Sequence, residues 1–262
     1  MSVCLAVVFY GFFIEPYRVA IHTISLRDGW RIPSLKDKVA IHLTDLHIHK
    51  MGKYEKHVLD IVAQIKPDFI FLTGDYVAWD GDYGPALAFL AKLEARYGIY
   101  GVLGDYDRNH ARQSCLFCHG NTNYHECVPD HDILFLRNRV VCAPVVNGDV
   151  TIAGIDGNDE SIQKIMEKIR ADCPDIVLCH NPLVFDDIPS ECDVLVLSGD
   201  THGGQVWLPS WIWKFVGYEK NAKYSYGIFT QGHKKMIVSK GIGTSHLPFR
   251  LFCAPEILVY YF

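Results

Sequence analysis

The 262-residue sequence contains no apolar run of the roughly 18 residues that a membrane-crossing helix needs. The run near its start, residues 3–14 (VCLAVVFYGFFI), is too short. Neither a basic n-region nor an A-x-A-like cleavage site accompanies it, which argues against a secretory signal. Basic residues are not in excess: 25 Lys and Arg stand against 30 Asp and Glu, a formal charge of −5 with 13 His neutral. Nucleic-acid binding by bulk charge is thereby excluded, because it needs a basic surface to neutralise phosphates. No repeat and no Ser/Gly linker divides the chain, so a solenoid and a flexibly tethered pair of domains are also excluded. No G-x-S-x-G elbow is present, which removes the usual Ser-nucleophile hydrolases. With 49% hydrophobic and 21% charged residues, disorder is excluded as well.

Ligand-type side chains are what the chain does have, with 13 His and 9 Cys. The cysteines are scattered and odd in number, which points to mostly free, buried thiols in a reducing, cytoplasmic setting. Residues 1–16 are expected to form an apolar N-terminal segment, either touching a membrane or packing as a helix on the core. Residues 17–262 are expected to form the main domain, with a Cys/His-containing insertion at 108–132.

Residues 18–26 alternate apolar and polar as a half-buried strand does. Five short apolar runs follow, at 39–43, 69–72, 99–103, 176–178 and 194–197. Segments of helical period lie between several of them, at 54–65, 85–97 and 159–170. Alternation of this kind predicts an α/β architecture. Each run ends in chemistry: Thr44-Asp45-Leu46-His47, Thr73-Gly74-Asp75, Gly104-Asp105-Tyr106-Asp107, Cys179-His180-Asn181, and Ser198-Gly199-Asp200-Thr201-His202-Gly203-Gly204. Open α/β sheets bind ligands beyond the carboxyl ends of their strands, so five such ends converge on one site.

A lone Asp-x-His at a strand end reads equally as a surface turn with a capping aspartate. Seven clustered residues do not, because so many packed carboxylates would repel one another without cations. Asp45, His47, Asp75, Asp105, His180, Asp200 and His202 suffice for two divalent ions if one carboxylate bridges. Four carboxylates with three imidazoles form an oxygen-rich set that favours Mn²⁺, with Mg²⁺ as the alternative, over Zn²⁺.

The order D-L-H, G-D, G-D-Y-D, H-N-P and G-D-T-H-G-G-Q resembles the calcineurin-like metallophosphoesterases over most of the chain. Residues 197–206 (LSGDTHGGQV) and 238–256 (VSKGIGTSHLPFRLFCAPE) look like the branch of that family that often carries an N-terminal membrane anchor. The resemblance implies two packed mixed β-sheets flanked by helices, an α/β/β/α fold. It implies that Asp45, His47 and His202 hold one ion, that Asp75 bridges, and that Asp105, His180 and Asp200 complete the second. A hydroxide between the ions would attack phosphorus in line. Asp75, Asp105 and Tyr106 would then be catalytic, and His246 and Arg250 would bind substrate; Arg108, Asn109 and His110 suit contacts to phosphate oxygens and equally an ordinary polar loop. Three positions depart from the family pattern: Asp105 replaces Asn, Asp200 replaces His, and Tyr106 replaces the His thought to protonate the leaving group.

Tyr106 bears on the substrate. An alkoxide leaving group needs an acid partner, whereas a departing phosphate, whose second ionisation lies near pH 6, does not. Residues 207–218 (WLPSWIWKFVGY) hold three of the five tryptophans, and they suit an interface, an acyl-chain groove or a second small core. Together these features resemble in character the UDP-2,3-diacylglucosamine pyrophosphatases of lipid A synthesis. That likeness implies an amphiphilic phosphorylated substrate and peripheral contact with the cytoplasmic face of the inner membrane. A general phosphodiesterase or phosphomonoesterase of the same fold and a non-catalytic scaffold are the competing expectations. In the insertion, Cys115, Cys118 and Cys127 with one His match a structural zinc site, against a substrate-capping loop with reduced thiols. The C-x-x-C-H haem pattern at 115–119 lacks the export signal that haem attachment needs.

Overall fold

The computed structural model describes residues 2–27, 32–78, 82–108, 131–156 and 161–262. Its strands are β1 (Ala20–Ser25), β2 (Val39–Leu43), β3 (Phe69–Leu72), β4 (Gly98–Gly101), β5 (Ile133–Phe135), β6 (Arg139–Val145), β7 (Gly148–Ile155), β8 (Ile176–Cys179), β9 (Leu195–Ser198), β10 (Gly227–Gln231), β11 (Lys234–Val238) and β12 (Glu256–Tyr261). The helices are α1 (Ser2–Phe13), α2 (Lys53–Ile65), α3 (Tyr83–Leu90), α4 (Ser161–Asp172), α5 (Ser210–Phe215) and α6 (Glu219–Tyr224).

Two six-stranded mixed sheets result, ordered β1-β12-β2-β3-β4-β5 and β10-β11-β9-β8-β7-β6. Strands β2 to β5 run parallel, as do β7, β8, β9 and β11, while β12 pairs antiparallel with β2 and β6 with β7. The central strands are apolar on both faces because both faces are covered. In β2, Ile41 and Leu43 join a core with Val58 and Val62 of α2 and Leu87 of α3. Ala40, from the opposite face, joins Phe69, Phe71, Ile176, Leu178 and Leu197 in the layer between the sheets. Val177 and Val196 pack on Ile165 and Ile169 of α4. The layering is the α/β/β/α arrangement that the resemblance implied.

Local reading and structure differ in three places. The helical period over 85–97 continues beyond α3, but the helix stops at Leu90. Arg96 N–H donates to Pro67 O at 3.1 Å and Tyr97 N–H to Asp68 O at 2.8 Å, which holds the later residues extended beside the start of β3. Strands β5, β6 and β7 carry no matching expectation; β6 is an edge strand, only Ala143 of it buried, and carries Pro144. Thiols were expected to be mostly free and buried: Cys173 and Cys192 instead form a disulfide, while Cys4, Cys142, Cys179 and Cys253 are free. Of those four, only Cys179 and Cys253 are buried.

Helix α1 is apolar but largely exposed, with the Phe12 ring tilted against Phe249 at 4.7 Å between ring centroids. No helix of the described residues is long and apolar enough to cross a membrane.

Candidate metal centre

The loops leaving β2, β3, β4, β8 and β9 meet at one end of the two sheets. Backbone bonds register them: Asp45 N–H to Gly74 O at 3.0 Å, His47 N–H to Asp75 O at 2.9 Å, and Gly199 N–H to His180 O at 3.2 Å. Asp45, His47, Asp75, Asp200 and His202 all adopt positive φ, between 43° and 74°. Five non-glycine residues in a sparsely populated region, gathered at one place, mark a site whose geometry the surrounding fold enforces. Close approach also explains two glycines. A Cβ at Gly104 would stand 2.2 Å from Asp75 Oδ1, and one at Gly199 would stand 2.0 Å from Thr44 Oγ1.

The seven sequence-predicted ligands fall into two groups, each with its ligand atoms within 4.8 Å of one another: Asp45, His47, Asp75 and His202, then Asp105, His180 and Asp200. Asp75 belongs to both in effect. Its Oδ2 lies 3.5 Å from His47 Nε2 and 3.4 Å from His180 Nε2. His47 Nε2 faces His202 Nε2 at 3.1 Å, and His202 Nε2 lies 3.7 Å from Asp45 Oδ1.

Those residues fit divalent ions on the evidence of His180. Its Nδ1 is 2.7 Å from the carbonyl of Thr73, which fixes Nδ1 as the protonated nitrogen. Its Nε2 is buried without a hydrogen bond and faces the Asp75 and Asp200 carboxylates. A lone pair aimed at two carboxylates calls for a cation between them. Charge tells the same story. Burial, reinforced by Asp75 and Asp200, pushes the Asp45 carboxyl up to about 7 despite His180. Burial opposes the charge on His180, but without an ion Asp75 and Asp200 outweigh it and hold that imidazole well above its usual range, so that a proton on Nε2 stands where a divalent ion would bind. Burial drives His47 down to about 4, so its nitrogens are free to ligate at neutral pH.

Two residues that the sequence reading passed over support this set. Asp107 is fully buried, and its carboxylate accepts from the N–H groups of Asp75, Tyr76 and Gly104, each at 2.9 Å. It ties the β3 and β4 loops together, and its position in G-D-Y-D was the available signal. Lys220 of α6 pairs with Asp200 Oδ2, and nothing local in the sequence marks it.

The substrate-facing expectations divide. Tyr106 lies at the site, its N–H donating to Asp75 Oδ1 at 2.9 Å and its hydroxyl 3.1 Å from His246 Nε2. His246 is exposed at the rim. Arg250 is a correction: it is fully buried, and its guanidinium donates to the carbonyls of Lys240, Gly241, Gly243 and Cys253. Its donors organise the 240–253 loop instead of reaching a substrate. Asn109, His110, Cys115, Cys118 and Cys127 lie outside the described residues, as does the side chain of Arg108.

Residues 39–204, more than half of the chain, match the family model described as Calcineurin-like phosphoesterase. The chain belongs to that family. Among its relatives, the uncharacterized metallophosphoesterase YkoQ of Bacillus subtilis is 25% identical over 91% of this chain and 88% of its own. The uncharacterized metallophosphoesterase YkuE of the same organism is 26% identical over 96% of this chain and 88% of its own. The phosphodiesterase YaeI of Escherichia coli is 27% identical over 87% of each. The matched span contains all seven candidate ligands, and this chain is a metal-dependent phosphoester hydrolase.

Two divalent ions bound here would supply a paired Lewis acid that lowers the pKa of a held water and offsets charge developing on phosphorus. The protein's part is geometric. Thr73 O aims His180, Asp107 aims the backbone of Asp75, and the Tyr106 N–H fixes one Asp75 oxygen so that the other faces both histidines.

Proposed function

We propose that this phosphohydrolase cleaves the pyrophosphate bond of an amphiphilic nucleotide at the cytoplasmic face of a membrane. The specific reaction is hydrolysis of UDP-2,3-diacylglucosamine to the 1-phosphate and UMP, with Mn²⁺ favoured by the carboxylate-rich ligand set and Mg²⁺ the alternative. One observation carries this reading: exposed apolar surface is attached directly to the ligand-bearing loops. Trp213 of α5 packs on Gly204, two residues after His202, while Trp211 and Phe215 of the same helix are 68% and 88% exposed. Gln205 Nε2 donates to Phe249 O at 3.1 Å, and Val206 bridges Leu251. Leu247 and Phe252 are exposed there, and Phe249 receives α1 with its exposed Phe9 and Phe13. Aromatic side chains of this kind suit a boundary between water and acyl chains.

The test is an assay with Mn²⁺ or Mg²⁺ and UDP-2,3-diacylglucosamine in mixed micelles. UMP release, much reduced for the deacylated nucleotide, is expected; equal turnover of both would remove the amphiphilic part of the reading. A second reading, general phosphodiesterase activity, is favoured by the Tyr106–His246 pair, which brings an imidazole to the place where a leaving group needs a proton. It predicts faster turnover of bis(4-nitrophenyl) phosphate than of any lipid-linked pyrophosphate.

A further inference from the structure

The two ligand groups are unequal in charge. The first position has Asp45 and the shared Asp75 with two imidazoles; the second has Asp105, Asp200 and the shared Asp75 with one imidazole. A phosphate group arriving at the second position therefore meets one carboxylate more than at the first. Like charge at that range opposes binding of an anion.

Lys220 stands at that surplus. Its ammonium is paired with Oδ2 of Asp200, while Oδ1 of the same carboxylate lies 3.9 Å from His180 Nε2. The carboxylate is thus divided, one oxygen toward the lysine and the other toward the second position. The lysine is held where it is. Asn221 Nδ2 donates to Thr201 O at 2.8 Å, and Thr201 Oγ1 donates to Ser225 O. Three residues along α6, Tyr224 Oη donates to Asp186 Oδ1 at 2.8 Å. These bonds join α6 to the Asp200–His202 loop and to residues 182–187, so Lys220 is carried on an anchored helix.

From this arrangement we infer that Lys220 is a positioning residue that makes Asp200 a one-oxygen, charge-neutral ligand, so that the second position accepts an anionic phosphate. The carboxylate and ammonium together present no net charge, as an imidazole would. The inference rests on the two-ion reading of the site.

Its test is a charge cycle read by Mn²⁺ stoichiometry and by inhibition with inorganic phosphate. Lys220→Gln keeps a hydrogen bond to Asp200 but not the charge. It is expected to bind phosphate about tenfold more weakly, raising KM more than it lowers kcat, whereas Lys220→Arg keeps wild-type phosphate affinity. Adding Asp200→His to Lys220→Gln removes the surplus carboxylate as well and is expected to restore phosphate affinity. Unshifted phosphate inhibition in Lys220→Gln would overturn the inference. So would a double variant no better than Lys220→Gln, since that result places the ammonium directly on the phosphate. A single Mn²⁺ per chain in the wild type would instead overturn the two-ion reading, so the two failures are distinguishable.

Discussion

The two halves of the metal centre are built differently. Asp45, His47, Asp75 and His202 are all buried, and two imidazoles face each other across 3.1 Å. Asp105, His180 and Asp200 grade from exposed through buried to half-buried, and they need a lysine from α6. The first half is a closed, preorganised cage; the second is open to solvent and carries the extra carboxylate. An open half is where a substrate could enter without disturbing an ion that the cage would hold.

Asp75 is common to both halves, so its loss should be the most damaging. Asp75→Asn is expected to lower kcat/KM by about 10³-fold or more, with bound Mn²⁺ falling below two per chain. Retention of a tenth of the activity would mean that the halves work separately. The contrast itself is tested by Asp45→Asn against Asp105→Asn. The buried ligand is expected to cost on the order of 10²-fold in kcat/KM and the exposed one on the order of 10-fold. Equal losses would break the distinction between cage and open half. Thermal unfolding before and after chelation should show the same order, with most of the metal-dependent stabilisation surviving in Asp105→Asn and little in Asp45→Asn.

The smallest expected effect lies beneath the cage. His42 is fully buried, its Nε2 2.8 Å from Thr73 Oγ1 and its Nδ1 3.0 Å from Tyr260 Oη. Burial lowers it from 6.5 to about 3. A histidine depressed in the fold is protonated first in the unfolded chain. Its contribution to stability is therefore complete above pH 6.5 and is lost as pH falls from there toward 3. Between pH 6.5 and 5 that loss is on the order of 2 kcal/mol. Denaturant midpoints of wild type and His42→Gln across this range should show a shallower slope for the variant; parallel slopes would assign the acid sensitivity to the ligand histidines.

Legibility followed the same division. The cage and the strands beneath it could be read locally because each strand is a short apolar run ended by Asp or His. Both β2 and β3 coincide with their apolar runs. The supports could not be read so. The carboxylate of Asp107 meets the Asp75 backbone 32 residues away in sequence. Lys220 reaches Asp200 from a short polar helix that nothing in the local sequence links to the site. The family resemblance implied that Arg250 binds substrate, yet its partners are carbonyls of its own loop.

What the sequence determined by itself was the identity and order of the ligands and the alternation of strands and helices, because metal chemistry and hydrophobic periodicity are properties of residue type and spacing. What only the tertiary structure decided was which oxygen of each carboxylate is free, which charges offset one another, and which side chains are spent on the backbone. Those depend on directions and distances between segments far apart in the chain, and a linear order of residues does not carry them.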